Sequence, residues 1–323
     1  MGIASDIGGS IRLPALFCGL YGHCCSVETV PIDNQWPPYA PSRRKLVSYG
    51  PLCRYAADLR PLVQMYMSRA EESSALKLSN HVEVSKLRVF YLTSFNDPSL
   101  TPTSEPVAQS VRIAAKHLQS LGATVREVKK AEELNLLDGF NVWMAKMHAE
   151  DAHPMAFEMT NRTGRLNLLW ELVRALVGLS EHTLAVLVTA LFQELKKALP
   201  GAQATRERFL EQHRRLKTQL DGLLAEDGVL LLPTYPELSV KPASCFLKFK
   251  NTAYTGVFNT LQVAMTSIPL GLTTEEDGVR GGPVPVGIQA IATHLNDHLT
   301  LTVAELLDRE FGGWVPPTKV LVN

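Results

Sequence analysis

A serine stands directly behind two glycines, Gly8-Gly9-Ser10, and ahead of Arg12 and Pro14 in the string "ASDIGGSIRLPALFCG". Glycine lacks a Cβ, so the backbone can turn tightly here and a substrate can approach it closely. Consecutive amides in such a turn can aim at one point and stabilise the oxyanion of a tetrahedral intermediate; losing one such donor costs about 3 kcal/mol. A helix opening near Pro14 adds its positive end. The chemistry this grammar suits is acyl transfer through a serine ester. On its own, however, Gly-Gly-Ser is also an ordinary turn. It is not the Gly-x-Ser-x-Gly elbow of α/β-hydrolases, because Arg12 stands two residues after Ser10. Nor do the nine histidines complete a Ser-His-Asp triad: His294 and His298 fall on a loop and a helix start, where solvated or capping roles are the common ones.

The elements that must hold such a turn read as α/β. "PALFCGLYG" is a short helix with Pro14 in its first turn and Gly19 or Gly22 near its end. "PIDNQWPPYAPSRRK" is a surface loop, and "PLCRYAADLRPLVQMYMSRA" carries Leu59, Leu62, Val63 and Tyr66 at helical spacing. The strand "LRVFYL", a helix from Ser104-Glu105 to Gly122 and the strand "ATVREV" make a βαβ unit. The amphipathic "TRERFLEQHRRLKTQLDGLL" precedes a buried strand in "DGVLLLPTYPEL". "VPVGIQAIA" is a late strand, and "DHLTLTVAELLDREFG" a helix capped by Asp297. The expected class is α/β with a mixed sheet flanked by helices, and residues 1–323 read as one domain.

Composition excludes several functions. The 323 residues are 46% hydrophobic and 20% charged, enough to bury a core without staples. Basic and acidic residues number 32 each, so no long-range field favours nucleic acid. Cys18, Cys24, Cys25, Cys53 and Cys245 form no zinc-finger spacing and no disulfide framework; they read as reduced thiols of an intracellular compartment. Neither a metal nor a cofactor is expected.

The longer string is more specific than the turn. "SDIGGSIRLPALFCGLYG" resembles the amidase signature, in which Gly-Gly-Ser followed by Ile/Val-Arg and Pro presents an acyl-enzyme serine. The resemblance continues through "GPLCRYAADL", "LLLPTYPE", a core strand in "YTGVFNTLQVAMTSIPLGL", and a Pro-x-Gly-Ile-Gln hairpin in "PVPVGIQAIATHLNDHLTL". It implies an amidase-signature fold, Ser10 as nucleophile, and an oxyanion hole from the amides of Ile7, Gly8, Gly9 and Ser10. Asp6 and Arg12 match signature positions that hold the loop. Gly287-Ile288-Gln289 is expected to close the sheet. Within the family the C-terminal segment is most similar to fatty-acid amide hydrolases, which implies a lipid amide substrate, a membrane surface and a homodimer as partners.

The same resemblance implies a base. A serine hydroxyl is a poor nucleophile until its proton is removed. The family removes it with a lysine acting through a second serine, both upstream of the signature, and no lysine of these 323 residues has the matching context. The chain is therefore expected to be N-terminally incomplete, to fold poorly and to hydrolyse little amide alone. The alternatives are a non-catalytic lipid- or partner-binding remnant and a soluble amidase or amidotransferase A-type subunit. Two local departures stand out: "GHCCS" replaces the usual Gly-x-Lys-Pro-Thr/Ser, and "LQVAM" replaces Leu-Gly-x-Pro-Ala/Val.

"LNLLWELVRALVGLSEHTLAVLVTALF" is the most apolar stretch. Glu171, Arg174, Glu181 and His182 interrupt it before it reaches the roughly 20 apolar residues of a span. It reads as two helices joined near Gly178-Leu179-Ser180, either a buried hairpin or an interfacial cap that dips into a bilayer.

Overall fold

The computed structural model describes residues 1–316 except 33, 37, 68–74, 130–132, 149–152, 165, 199–200, 242–243, 245–246 and 274–281. Cys245 lies outside the described residues. Eight strands form one mixed sheet in the order β1-β3-β2-β7-β8-β6-β4-β5. They are β1 (Gly2–Asp6), β2 (Tyr21–Cys24), β3 (Ser48–Cys53), β4 (Arg88–Tyr91), β5 (Thr124–Glu127), β6 (Gly228–Pro233), β7 (Ala264–Leu272) and β8 (Pro285–Ala292). β4 runs parallel to both β5 and β6, and the remaining pairs are antiparallel. This is the expected α/β class, a mixed sheet flanked by helices.

The parallel end is the predicted βαβ unit, with its helix at Glu105–Ser120. All six residues of β6 are buried, as a strand covered on both faces must be. Its side chains alternate: Val229 and Leu231 enter one core, Leu230 and Leu232 the other. The first core packs against helices at Leu59–Tyr66, Glu105–Ser120 and Asp297–Phe311. The second packs against helices at Gly139–Met147, Ala202–Leu224 and Ala253–Leu261. The site described below lies in the second layer.

Three expectations need correction. "YTGVFNTL" is not a strand but a helix, Ala253–Leu261, and only the following Ala264–Leu272 is extended. That helix is buried on every side, so it shows no amphipathic period to distinguish it from a buried strand. The helix expected from Pro51 begins later: Pro51–Cys53 closes β3, and the α-helix occupies Leu59–Tyr66. Asp297 does not cap its helix. It is the first helical residue, and its buried carboxylate accepts from Ser26 on the neighbouring loop. The apolar stretch does form two helices, Leu168–Leu176 and Leu184–Ala198, on either side of the expected joint.

Candidate active site

β1 ends at Asp6 and the helix Arg12–Cys18 begins six residues later, so Ile7–Ile11 must turn within a few ångströms. The turn is wound around the Asp6 carboxylate. Asp6 Oδ1 accepts from the Gly9 amide at 2.6 Å, and Oδ2 accepts from the amides of Ile11 at 3.0 Å and Arg12 at 3.3 Å. The Arg12 guanidinium closes the arrangement from the side, with Nε 3.2 Å from Oδ2 and Nη2 3.1 Å from Oδ1. Both residues are wholly buried.

A buried charge pair is stable only when its remaining hydrogen-bond capacity is used. Here it is. Arg12 Nη1 donates to the Thr255 carbonyl at 3.1 Å and to Gln289 Oε1 at 3.0 Å, and Nη2 donates to Asn259 Oδ1 at 2.6 Å. Asn259 Nδ2 returns a bond to the Asp6 carbonyl at 2.9 Å, and Gln289 Nε2 donates to the carbonyls of Pro233 and Tyr254. Burial pushes the Asp6 carboxyl up, but Arg12 and the amides of Ile11 and Gly9 outweigh it and hold it at about 2. Burial first, and then the same carboxylate, push the Cys24 thiol, 3.4 Å from Asp6 Oδ2, well above its ordinary range.

Two more residues set the peptide planes of the turn. Trp143 Nε1 donates to the Ile7 carbonyl at 2.9 Å, and Thr255 Oγ1 donates to the Gly8 carbonyl at 2.5 Å. In a trans peptide the N–H points opposite to the C=O. The Gly8 amide therefore faces away from Trp143, and the Gly9 amide faces away from Thr255, toward Asp6. Glycine is required at both places. A Cβ on Gly8 would lie 2.8 Å from the Trp143 ring; Gly9 has φ +127° and its Cβ would lie 2.4 Å from Thr255 Oγ1.

The turn thus brings Ile7, Gly8, Gly9 and Ser10 together, but their amides differ. The Gly9 N–H is taken by Asp6, unlike the expectation that all four face a substrate. The amides of Ile7, Gly8 and Ser10 donate to no described residue. Ser10 is exposed, and its hydroxyl has no hydrogen-bond partner among the described residues. Asp6 and Arg12 hold the loop as expected, and Gln289 ties β8 to it instead of facing outward.

A family model described as amidase matches residues 1–301. The chain belongs to the amidase family. Among the curated relatives of this chain, fatty-acid amide hydrolase 2-B of Danio rerio is 35% identical over 322 residues, 98% of the chain and 58% of the relative. Fatty-acid amide hydrolase 2 of Homo sapiens is 33% identical over 326 residues, 99% of the chain and 58% of the relative. The chain therefore spans somewhat over half the length of the curated relatives it matches. Among solved structures, the A-type subunit of glutamyl-tRNA(Gln) amidotransferase from Thermotoga maritima superposes with TM-score 0.62 at 19% identity, over 95% of this chain and 61% of that one. A fatty acid amide hydrolase structure superposes with TM-score 0.58 at 17% identity, over 96% and 56%.

Trp143, Thr255 and Asn259 are the members of the amidase loop network that sequence reasoning missed. They lie more than a hundred residues from the signature, where spacing carries no information. One signal was present: Thr255, Asn259 and Thr260 are polar residues within a helix that is otherwise apolar all round. Buried polar side chains of that kind require partners.

Proposed function

We infer that this chain carries the acyl-enzyme centre of a serine hydrolase of fatty-acid amides, both N-acylethanolamines and primary fatty amides. Ser10 Oγ attacks the amide carbonyl, the carbonyl oxygen becomes an anion, and the amides of Ile7, Gly8 and Ser10 receive it. Collapse expels the amine and leaves an ester on Ser10, which water cleaves to the free acid. The observation that carries this reading is the exposed Ser10 beside amides that no described residue occupies, fixed through the carbonyls of Asp6, Ile7 and Gly9, which accept from Asn259, Trp143 and the Leu13 amide.

The proton of Ser10 needs an acceptor. No described residue contacts the hydroxyl, so the base is assigned to the lysine–serine relay that the family has upstream of its signature. The 323 residues alone are expected to turn over slowly.

A lipid substrate is supported by the helical hairpin Leu168–Leu176 and Leu184–Ala198. Leu169, Trp170, Val173, Leu176, Val177 and Leu179 are all more than half exposed there. No helix among the described residues is long and apolar enough to cross a membrane. The hairpin is read as an interfacial patch that lies on a bilayer and collects lipid amides.

The test is a chimera in which the N-terminal part of the Danio rerio relative precedes Met1. It should label with a fluorophosphonate probe and hydrolyse oleamide, Ser10→Ala should abolish both, and the 323-residue chain should label weakly. A folded chimera that does not label would mark a non-catalytic remnant. One that cleaves short amides but not oleamide would favour an amidotransferase-like specificity.

A further inference from the structure

On the opposite face of β2 from Asp6 lies a second buried cluster. Strand alternation sends Cys24 toward Asp6 and His23 toward the helix Asp297–Phe311. His23 and Asp297 are wholly buried, with Nε2 3.1 Å from Oδ1, and Cys25 is buried beside them. The ligand-capable atoms of His23, Cys25 and Asp297 all lie within 4.8 Å of one another.

The hydrogens around this cluster can be counted. Thr300 Oγ1 donates to the Asp297 carbonyl and Thr266 Oγ1 donates to Thr300, so the single hydroxyl proton of Thr266 is committed. His23 Nδ1, 2.8 Å from Thr266 Oγ1, must then be the donor in that bond. In a neutral imidazole this leaves Nε2 as a bare acceptor. It faces a carboxylate that already accepts from the Ser26 amide at 2.9 Å and the Ser26 hydroxyl at 2.5 Å. The Ser26 hydroxyl in turn accepts from the Leu295 amide, so it cannot point its proton elsewhere without losing that geometry. Two acceptors 3.1 Å apart in a dry site need a cation between them.

We propose that His23, Cys25 and Asp297 bind a zinc ion. The donor set is one imidazole nitrogen, one thiolate and one carboxylate oxygen, the mixture zinc takes. With bonds of about 2.0 to 2.3 Å, tetrahedral zinc holds its donors roughly 3.2 to 3.8 Å apart; the nitrogen and oxygen already stand 3.1 Å apart, and the sulfur, within 4.8 Å of both, would move in by up to about 1 Å. Charge balances: Zn2+ with one thiolate and one carboxylate is neutral, as burial demands. Binding would exchange the S–H of Cys25 for Zn–S and release one H+. The ion would tie β2 and the loop at Ser26 to the last helix.

The test uses tag-free chain purified without chelator. Mass-spectrometric metal analysis should find about one zinc per chain. Cys25→Ser and Cys25→Ala should bind zinc at least about tenfold more weakly, since even an outer partner costs that much, while far-ultraviolet circular dichroism reports whether each is folded. Cobalt(II) in place of zinc should give a thiolate-to-metal charge-transfer band that Cys25→Ser lacks. A folded wild-type chain that holds no zinc after dialysis against it, or a folded Cys25→Ser that binds cobalt and zinc unchanged, overturns the proposal.

Discussion

The indole Nε1 of Trp143 donates to the carbonyl of Ile7 across 2.9 Å, and the face of the same ring leaves no room for a side chain on Gly8. One residue from a distant helix therefore fixes the plane of the Ile7–Gly8 peptide, and with it the direction of the Gly8 N–H. Trp143 is 8% exposed and packs in the second core, so its position is set by the fold and not by substrate.

Trp143→Phe keeps the ring and removes the donor. In the chimera the rate of fluorophosphonate labelling at Ser10 should fall about ten- to hundredfold, in line with a misaligned oxyanion donor. For oleamide kcat should drop while KM holds, because the loss falls on the transition state. An unchanged labelling rate in a folded variant would remove Trp143 from the positioning role.

The Asp6–Arg12 pair carries the second prediction. Asp6→Asn leaves Arg12 charged, buried and unbalanced, which should cost about 3–5 kcal/mol in urea unfolding. The carboxyl sits at about 2 in the fold against an ordinary 3.8. Its folded pKa is lowered, so its contribution is complete above about pH 4 and disappears as pH falls toward 2, on the order of 2 kcal/mol in all. The wild type should show that slope and Asp6→Asn should lack it; parallel slopes would mean that the pair is not what acid titrates.

How much of this was legible follows from the range of each interaction. The unit Arg88–Tyr91, Glu105–Ser120, Thr124–Glu127 was readable because each element has its own period and the partners adjoin in sequence. The strands Gly2–Asp6, Tyr21–Cys24 and Ser48–Cys53 were not. They are four to six residues long, contain glycine or proline, and exist because they pair with one another and with Ala264–Leu272. At the site, Ser10 and its flanking glycines were visible as a local motif. Capture of the Gly9 amide by Asp6 was not, since the motif names residues and says nothing of where each N–H points.

The helical hairpin gives a third prediction. Trp170, Leu176 and Leu179 are 61%, 75% and 66% exposed, so glutamate at all three should leave thermal stability nearly unchanged. Each apolar side chain that enters a bilayer interface contributes about 1.5–3 kcal/mol. Flotation with phosphatidylcholine vesicles should therefore recover the wild type and not the triple variant. Equal flotation of the two, or none by either, would assign the hairpin to another contact.

The last prediction concerns His298, one residue beyond the proposed zinc ligand Asp297. Its Nδ1 is buried with no hydrogen-bond partner among the described residues. Burial first, then the positive charges of Lys77 and Arg60, push its pKa down to about 4 from 6.5, with Asp297 pulling the other way. The unfolded chain therefore takes up a proton near 6.5, while the folded chain refuses it until about 4. Between those values the unfolded state binds more protons, so stability must fall as pH falls. This window lies above that of Asp6, and the two slopes separate in one titration. Urea midpoints of the metal-free chain, measured with chelator present from pH 7 to pH 4, should decline for the wild type, and His298→Asn, which cannot titrate, should flatten the curve across that range while keeping the slope below it. A decline that His298→Asn leaves intact would place the titrating group elsewhere.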